Sequence, residues 1–313
     1  DAVRCHAWIE MLSARPFPPS HHTFSRALPL KCRWILPPHP RPQFERGYHF
    51  DGACQFYPAK VTAALLRKAV CTYCAPVRVT SIEAEDHSGA WQLVQWAGGA
   101  GDDEAAPRGV LRARRVVVAA NGWAAELLPE LKPHLFATRN TVIMTKPLPR
   151  AADWGVGAFS VDSDNGAREL YAIRRPDGRV CLGGARALEP DAAVGNSDDS
   201  SNSETVGRYL RTFLAKRFPR LLEEATSATE GEGVVEAEWS GILGFTTDGK
   251  PLVGALPGRP NVLVGAGFCG HGMPQCFGVG KGLALMLEGS AEQQAEQVHP
   301  FLRTQANVAR FLQ

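Results

Sequence analysis

The sequence predicts a mixed α/β fold, in which a lobe of strands and helices is interrupted by a second, strand-rich lobe. Three stretches of the 313-residue chain predict it. Residues 111–122 run through an apolar stretch into a glycine, which is typical of a strand buried on both faces. Residues 169–184 have the pattern of a β-hairpin. Residues 261–287 have the pattern of a strand, a glycine-rich turn and a helix.

The first lobe is predicted to comprise residues 48–135 and 236–292, after an irregular lead segment at 1–47 in which Pro recurs without a regular period. Residues 58–70 predict a helix with Pro58 at its first position and Val61, Ala64 and Leu65 on one face. Strands are expected at 77–83, 91–96 and 111–122, and later at 236–245, 251–254 and 261–265. A helix follows at 274–287, and residues 293–313 are expected to form a C-terminal tail or helix.

The second lobe is predicted at residues 136–235. Strands are expected at 141–145, 169–174 and 180–183, the last two joined by a turn at 175–179. A polar loop at 195–203 precedes a helix, and Ser201 and Glu204 have the spacing of a capping box at its start. Val206, Leu210 and Phe213 share one face of that helix.

Composition excludes several classes of protein. The net charge is +2 and basic residues form no stripe with aromatic ones, so we expect no nucleic-acid partner. No apolar run approaches about 20 residues, which predicts no membrane span. The eight cysteines are scattered without a disulfide framework, which favours a reducing, cytoplasmic location. Cys71 and Cys74 have CxxC spacing but no second pair, so we expect plain thiols and no metal site.

The turn at 265–273 is the stretch most suggestive of binding. Gly265, Gly267, Gly270 and Gly272 permit positive φ and let a flat ligand approach bare backbone. The first N–H groups of the following helix have no partner within the helix and carry partial positive charge. They suit an anion or an electron-rich carbonyl oxygen. A purely structural strand–turn–helix is the alternative.

Four motifs, in this order and spacing, carry a resemblance to a known family: VVVAANGW at 116–123, LYAIRRPDGRVCLGG at 170–184, WSGILGFTTDGKPLVG at 239–254 and GAGFCGHGM at 265–273. Over roughly residues 48–290 the chain resembles the D-amino-acid-oxidase-like family of FAD-dependent oxidoreductases, which includes glycine and sarcosine oxidases. The resemblance implies a partial doubly wound FAD-binding lobe, built around parallel strands, with an inserted antiparallel-sheet substrate lobe.

The resemblance also implies which residues bind the cofactor. Pro76 and Val77 should lie against the adenosine end of FAD. The next group should line the cofactor where the central strand ends, and consists of Ala119, Ala120, Asn121, Gly122 and, packed beside it, Trp123. The last group should approach the pyrimidine end of the flavin ring, and consists of Gly267, Gly270, His271, Gly272 and Met273.

Catalytic and substrate residues follow from the same resemblance. His271 is expected to donate to the flavin or the substrate, and Tyr171 matches an active-site tyrosine of the hairpin. Arg174 is a cation for an acidic substrate tail. For His271 the alternative is a turn cap, for Tyr171 a core aromatic and for Arg174 a solvated charge beside the turn.

The chain departs from the family's pattern at three points. The GxGxxG turn after the first strand and the acidic residue that follows it are absent, so the first βαβ unit is expected to be missing. A truncated chain, a faulty gene model and a genuinely incomplete relative are the alternative causes. Leu243 and Gly270 stand where amino-acid-oxidising members place arginines for the substrate carboxylate. No cysteine lies near residues 242–245, so FAD is expected to bind non-covalently.

The resulting expectation is an FAD-dependent oxidoreductase that oxidises the C–N bond of an amine or amino-acid derivative by hydride transfer to flavin N5. The electrons pass to oxygen or another acceptor. Two alternatives stay open. One is a catalytically silent, truncated homologue that does not retain FAD, and the other is a flavin-dependent 2-hydroxy acid oxidoreductase.

Overall fold

The computed structural model describes residues 7–11, 32–35, 47–50, 55–98, 107–148, 158–163, 168–217, 219 and 232–312. The chain forms two compact units. Unit 1 comprises Asp1–Arg67, Arg139–Ala193 and Asp198–Gly241, and unit 2 comprises Lys68–Thr138, Val194–Ser197 and Ile242–Gln313. The sequence-based domain limits stay predictions.

The strands are β1 (Ala7–Met11), β2 (Cys32–Ile35), β3 (Gly47–Phe50), β4 (Val77–Ala84), β5 (Gln92–Gly98), β6 (Arg108–Ala113), β7 (Val116–Val118), β8 (Leu135–Thr145), β9 (Ala158–Ser163), β10 (Arg168–Arg174), β11 (Val180–Gly184), β12 (Val235–Thr246), β13 (Leu252–Leu256) and β14 (Arg259–Ala266). The α-helices are α1 (Pro58–Lys68), α2 (Ala124–Leu127), α3 (Glu204–Arg217), α4 (Gly272–Glu288), α5 (Ala291–Gln297) and α6 (Pro300–Arg303).

Unit 1 is built on an eight-stranded sheet with the order β12-β8-β11-β10-β9-β1-β3-β2. β1 pairs with β9 in parallel, whereas the pairs of β10 with β9 and β11, and of β11 with β8, are antiparallel. One face of the sheet is covered by α3, whose Leu210 and Leu214 pack with Leu170 and Leu182 of the hairpin. Because side chains alternate along a strand, this packing defines the covered face. The opposite face, on which Tyr171 and Ile173 are exposed among the described residues, is called the open face.

The start of α3 differs from the predicted capping box. The helix begins at Glu204, and the Ser203 hydroxyl accepts from the N–H of Val206 at 3.2 Å, so Ser203 is the capping residue. Ser201 instead donates to Asp198 at 2.8 Å. The capping-box assignment to Ser201 was therefore wrong. The sequence offers serines at both 201 and 203, and only the folded loop decides between them.

Unit 2 contains two three-stranded sheets, with the orders β13-β14-β7 and β4-β5-β6. β14 and β7 are parallel, with Leu263 opposite Val117. α4 packs on this sheet through Val279 and Leu283, which join a cluster with Leu302 of α6. The turn between β14 and α4 is therefore held on both sides by elements buried in the same core.

The predicted strand at 111–122 is interrupted. β6 ends at Ala113 and β7 begins at Val116, and the two strands belong to different sheets. Between them the Arg114 guanidinium lies 5.1 Å from the Trp91 ring centroid, and Arg115 donates to the Leu287 carbonyl near the end of α4. Val118 is buried on one face of the strand, whereas Val117 on the other face is 40% exposed, so the strand is not buried on both faces. The prediction of one continuous strand was wrong because two adjacent arginines have their own partners.

The predicted mixed α/β class, with several antiparallel sheets, is confirmed. Both strands of the hairpin and the helix after the glycine turn lie where the patterns place them, within two residues at their ends. α1 begins at Pro58 as predicted, although none of its side chains is buried in the described part of the chain. Among the described residues, no helix has the length and apolarity that crossing a bilayer requires.

Candidate functional site

Three of the four glycines in residues 265–273 have different roles. A Cβ on Gly265 would lie 2.8 Å from Leu283 Cδ1, so this glycine lets α4 pack closely on the sheet. Gly267 has φ of +69°, and its Cβ would lie 2.6 Å from Thr246 Cγ2. Gly270 has φ of +79°, but a Cβ there would meet nothing within 4 Å. Only Gly270 therefore combines a left-handed conformation with open space on its side-chain side.

Backbone donors are exposed where α4 begins. His271 is the N-cap residue, its side chain caps nothing, and its own N–H bonds to Phe268 O at 2.8 Å. Within the described part of the chain, the N–H groups of Gly272 and Met273 have no acceptor. Pro274, the third residue of the helix, has no N–H. A 17-residue helix thus presents two adjacent free donors at its positive end, which suits an electron-rich oxygen or an anion.

His271 is fixed by the turn itself. Its Nδ1 lies 2.8 Å from Cys269 O. A carbonyl oxygen only accepts, so Nδ1 carries the proton and Nε2 of the neutral ring is free to accept one. The side chain is exposed, so Nε2 is accessible to a bound molecule.

Asn121 holds the turn through its side chain. Its Oδ1 accepts from Gly267 N at 3.0 Å and from Phe268 N at 3.4 Å. The residue has φ of +45°, in the left-handed region that Asn tolerates better than most residues. Gly244 makes room for it, because a Cβ there would lie 2.6 Å from Asn121 Oδ1. The carboxamide oxygen predicted to line the cofactor therefore has two backbone partners in the turn.

The residues around Asn121 divide into packed and accessible ones. Gly122 is buried, and a Cβ there would lie 2.8 Å from the carbonyl oxygen of Leu243, itself half-buried in β12. Trp123 donates from Nε1 to Ser197 O at 3.1 Å. Ala119 is exposed and Ala120 half-buried. The end of β7, the Asn121–Trp123 turn, Leu243 and the glycine turn thus come together within unit 2.

Pro76 and Val77, predicted at the adenosine end of the cofactor, lie at the start of β4 in unit 2. Both are exposed, and the Ala75–Pro76 peptide bond is cis. They share a unit with the glycine turn.

Cys269, the one cysteine in the turn, is engaged by protein atoms. Its Sγ lies 3.2 Å from Gly267 O and 3.4 Å from both Thr246 N and Thr246 Oγ1. These contacts point the thiol into the turn.

Tyr171 and Arg174 lie in unit 1 and on opposite faces of one strand. Leu170 and Ala172 of β10 are buried beneath α3, so alternation places Arg174 on that covered face. Tyr171 and Ile173 lie on the open face and are 39% and 40% exposed. The hairpin therefore does not bring the predicted tyrosine and the predicted arginine together.

Asn140 was missed by the sequence reasoning. It lies on β8, is 5% exposed, and donates from Nδ2 to the Tyr171 hydroxyl oxygen at 2.8 Å. Its Oδ1 is buried without a partner among the described residues. Asparagine is disfavoured in strands and 31 positions separate it from Tyr171, so no local pattern marks the pair.

Other features of the described residues add no competing site. A groove of about 600 Å³ in unit 2 lies beside the β13–β14 turn and is lined by Arg303, Gln294 and Asn307 among others, but by none of the predicted residues. No group of three or more potential metal ligands occurs in the part of the chain that the structure describes.

Comparison with known proteins identifies the family. A family model described as FAD dependent oxidoreductase (DAO) matches residues 5–286. The probable oxidoreductase OrdL of Rhizobium meliloti is 25% identical over 231 residues, which are 72% of this chain and 46% of that protein. The chain thus spans about half the length of this curated relative.

Solved structures share the fold at low identity. Glycine oxidase from Geobacillus kaustophilus matches with a TM-score of 0.63 at 19% identity, over 96% of this chain and 75% of that one. L-proline dehydrogenase from P. horikoshii matches with a TM-score of 0.67 at 14% identity, over 98% and 79%. Iminodiacetate oxidase from Chelativorans sp. matches with a TM-score of 0.63 at 17% identity, over 96% and 75%.

The resemblance carried by the four motifs is confirmed by a match that extends over most of the sequence. The glycine turn fits a flavoenzyme as well, because it leaves two helix-start donors free beside the open side of Gly270. The chain belongs to the DAO family of FAD dependent oxidoreductases.

Proposed function

We propose that this protein oxidises the C–N bond of an amine or amino-acid derivative, with non-covalently bound FAD as the hydride acceptor and oxygen or another molecule as the final electron acceptor. The observation that carries the proposal is the pair of unpartnered N–H groups of Gly272 and Met273 at the start of α4. Fixed dipoles of this kind stabilise negative charge without having to reorganise.

Residues of unit 2 would hold the flavin ring. The Gly272 and Met273 N–H groups would donate to its electron-rich edge, and Gly270 would let the ring approach the backbone. Asn121 would act one step away, because its oxygen keeps the turn in shape. FAD, when bound, supplies the two-electron chemistry that no side chain can.

His271 and Tyr171 are the proposed polar contacts to the substrate. His271 offers an accessible Nε2 that accepts a proton or a hydrogen bond. Burial raises the pKa of Tyr171, against the opposing effect of the Asn140 hydrogen bond, so its hydroxyl stays protonated near neutral pH and can donate. Leu243 provides no charge for a substrate carboxylate, which favours an amine derivative over a simple α-amino acid.

The names of the relatives agree with this substrate class. Glycine oxidase, L-proline dehydrogenase and iminodiacetate oxidase are each named for a compound that contains an amine nitrogen. That L-proline dehydrogenase is not named as an oxidase is the reason to leave the electron acceptor open.

The experiment is reconstitution followed by reduction. The 313-residue chain is purified with added FAD, unbound FAD is removed, and the visible spectrum is recorded. Amines such as proline or iminodiacetate are then added without oxygen, in parallel with a 2-hydroxy acid. We expect flavin absorbance that bleaches with an amine and persists with the hydroxy acid. A colourless protein would instead identify a silent homologue that does not retain FAD. Bleaching by the hydroxy acid alone would identify a flavin-dependent 2-hydroxy acid oxidoreductase.

A matched pair of variants links the spectrum to the turn. Met273→Pro removes one helix-start N–H at a position where Pro is tolerated, whereas Met273→Ala shortens the side chain and keeps the N–H. Loss of a hydrogen bond to a charge-bearing group costs about 1.5–3 kcal/mol, so we expect FAD affinity to fall roughly ten- to hundred-fold in Met273→Pro. Met273→Ala should stay close to the parent, and equal losses in both variants would show that the N–H is not used.

A further inference from the structure

Tyr171 is held flat against the open face of the unit 1 sheet. It is paired with Gly183 across the β10–β11 ladder. A Cβ on Gly183 would lie 2.5 Å from the Tyr171 hydroxyl oxygen and 2.6 Å from Cζ, so the ring passes directly over bare backbone. This path carries the hydroxyl across β11 to Asn140 on β8. Gly183 is therefore a condition for the contact between Tyr171 and Asn140.

The hydrogen bond between them has one direction. Asn140 Nδ2 donates to the Tyr171 hydroxyl oxygen at 2.8 Å, and Asn140 Oδ1 is buried without a partner among the described residues. With the amide reversed, Tyr171 would donate to Oδ1 and the Nδ2 group would have no partner, so both orientations leave the same number of amide hydrogen-bonding groups unpaired. The direction in the structure is donation from Nδ2 to the hydroxyl oxygen.

The direction of this bond decides what the hydroxyl can offer a ligand. A hydroxyl has one proton and two lone pairs, and Asn140 occupies one of the lone pairs. The proton remains available for a ligand, and on the open face Tyr171 is 39% exposed with Ile173 beside it on the same strand. A molecule on this face would therefore meet a hydrogen-bond donor in apolar surroundings.

We propose that Asn140 is a positioning residue, which commits the Tyr171 hydroxyl to donate its proton to an oxygen or other acceptor atom of the substrate. This rests on the proposed function for the identity of the ligand as a substrate. Asn140 itself is buried and acts through Tyr171. The substrate class is thereby narrowed to amines that carry a hydrogen-bond acceptor.

The first test requires no FAD. The ultraviolet absorbance of tyrosinate is titrated in the parent, in Asn140→Leu and in Asn140→Asp, and Tyr171→Phe identifies the step that belongs to Tyr171. The Asn140 hydrogen bond lowers the pKa of Tyr171 against the raising effect of burial, so its removal should move the step to higher pH. Asn140→Asp should move it further, because the carboxylate would accept the phenolic proton. An unmoved step in both variants would overturn the inference.

The second test uses the FAD-loaded enzyme. Asn140→Asp reverses the bond and should lower kcat/KM roughly ten- to hundred-fold, as should Tyr171→Phe. In the double variant the losses should not add, since both remove the same donor. Additive losses would overturn the inference. Gly183→Ala keeps both Asn140 and Tyr171 but displaces the Tyr171 ring, so it should reproduce the loss. It serves as an independent test in case Asn140→Asp does not fold.

The two tests separate the inference from the proposed function. If the tyrosinate step moves as expected but no amine reduces the flavin, the oxidase proposal fails while the Asn140–Tyr171 bond stands. If amines are oxidised and the step does not move, the oxidase proposal stands and the positioning role is lost.

Discussion

Asn121 holds the glycine turn in shape through its side chain. Its Oδ1 accepts from two consecutive N–H groups of the glycine turn, and its backbone adopts φ of +45°. The position needs a side-chain acceptor long enough to reach these N–H groups, and it needs a residue that tolerates the left-handed region. Together they explain why Asn precedes Gly122 at the end of β7.

Substitutions at Asn121 separate these two contributions. Asn121→Gly loses the acceptor but keeps the conformation, and we expect it to lower the free energy of unfolding by about 1–3 kcal/mol. Asn121→Ala should lower the free energy of unfolding by roughly 1–2 kcal/mol more, because positive φ is unfavourable for Ala. Asn121→Asp retains the acceptor and should lose least. Urea unfolding of the three variants measures the order, and equal stability of the Gly variant and the parent would contradict the clamp.

The residues that the sequence did not reveal share one property. Asn140 and Gly183 acquire their roles from Tyr171, which reaches them across strands. Such partners are set by strand register, which a single sequence does not encode locally. The exposed backbone at Gly270 could be predicted, because a glycine-dense turn before a helix indicates it without reference to any distant residue. The close packing at Gly265 and Gly267 could not be predicted, because it depends on contacts with Leu283 and Thr246, which are distant in sequence.

At the scale of elements, the loop before α3 is ordered by charge. Arg139 binds Glu189 at 2.8 Å and Ser201 at 2.9 Å, and Ser203 donates to Glu189 while it caps the helix. Asp198 accepts from the hydroxyls of Ser200 and Ser201 and from the Ser200 N–H. These hydrogen bonds, the Ser200 hydroxyl first, lower the pKa of Asp198 from 3.8 to about 2.

This loop gives unit 1 a defined response to acid. The folded pKa of Asp198 lies below its ordinary value, so its contribution to stability is complete above pH 3.8 and is lost as the pH falls toward about 2. In Asp198→Asn that contribution is absent at every pH. The difference in urea midpoint between parent and variant should therefore shrink below about pH 4. A difference that stays constant down to about pH 3 would contradict the role given to Asp198.

Elements with a strong period were predictable, and their ends and interruptions were not. The hairpin at 168–184 and the helix after the glycine turn follow from alternation, a turn motif and a run of apolar residues. The break between β6 and β7 depends on Arg114 and Arg115 finding Trp91 and Leu287, which are distant in sequence. The choice of Ser203 over Ser201 as the cap likewise depends on Glu189 and Asp198.

At the scale of the whole molecule, the family match covers more of the chain than the candidate site does. The family match covers residues 5–286, and the fold is shared with solved structures over nearly all of this chain. The same structures extend beyond it, since the chain covers 75–79% of the three described above. The described residues of unit 2 include the N–H groups proposed to bind the flavin ring, whereas the sequence has no GxGxxG turn after its first strand that could bind phosphate.

The central claim is that the N–H groups at the start of α4 bind the flavin, and the most direct measurement is the response of those two amides to FAD. Isotope-labelled chain is titrated with FAD, and the backbone amide signals and exchange rates of Gly272 and Met273 are followed by nuclear magnetic resonance. The account predicts that both amides shift and become protected from exchange, while exposed amides such as that of Cys71 do not. If FAD binds and leaves the amides of Gly272 and Met273 unchanged, the flavin lies elsewhere and the account is wrong.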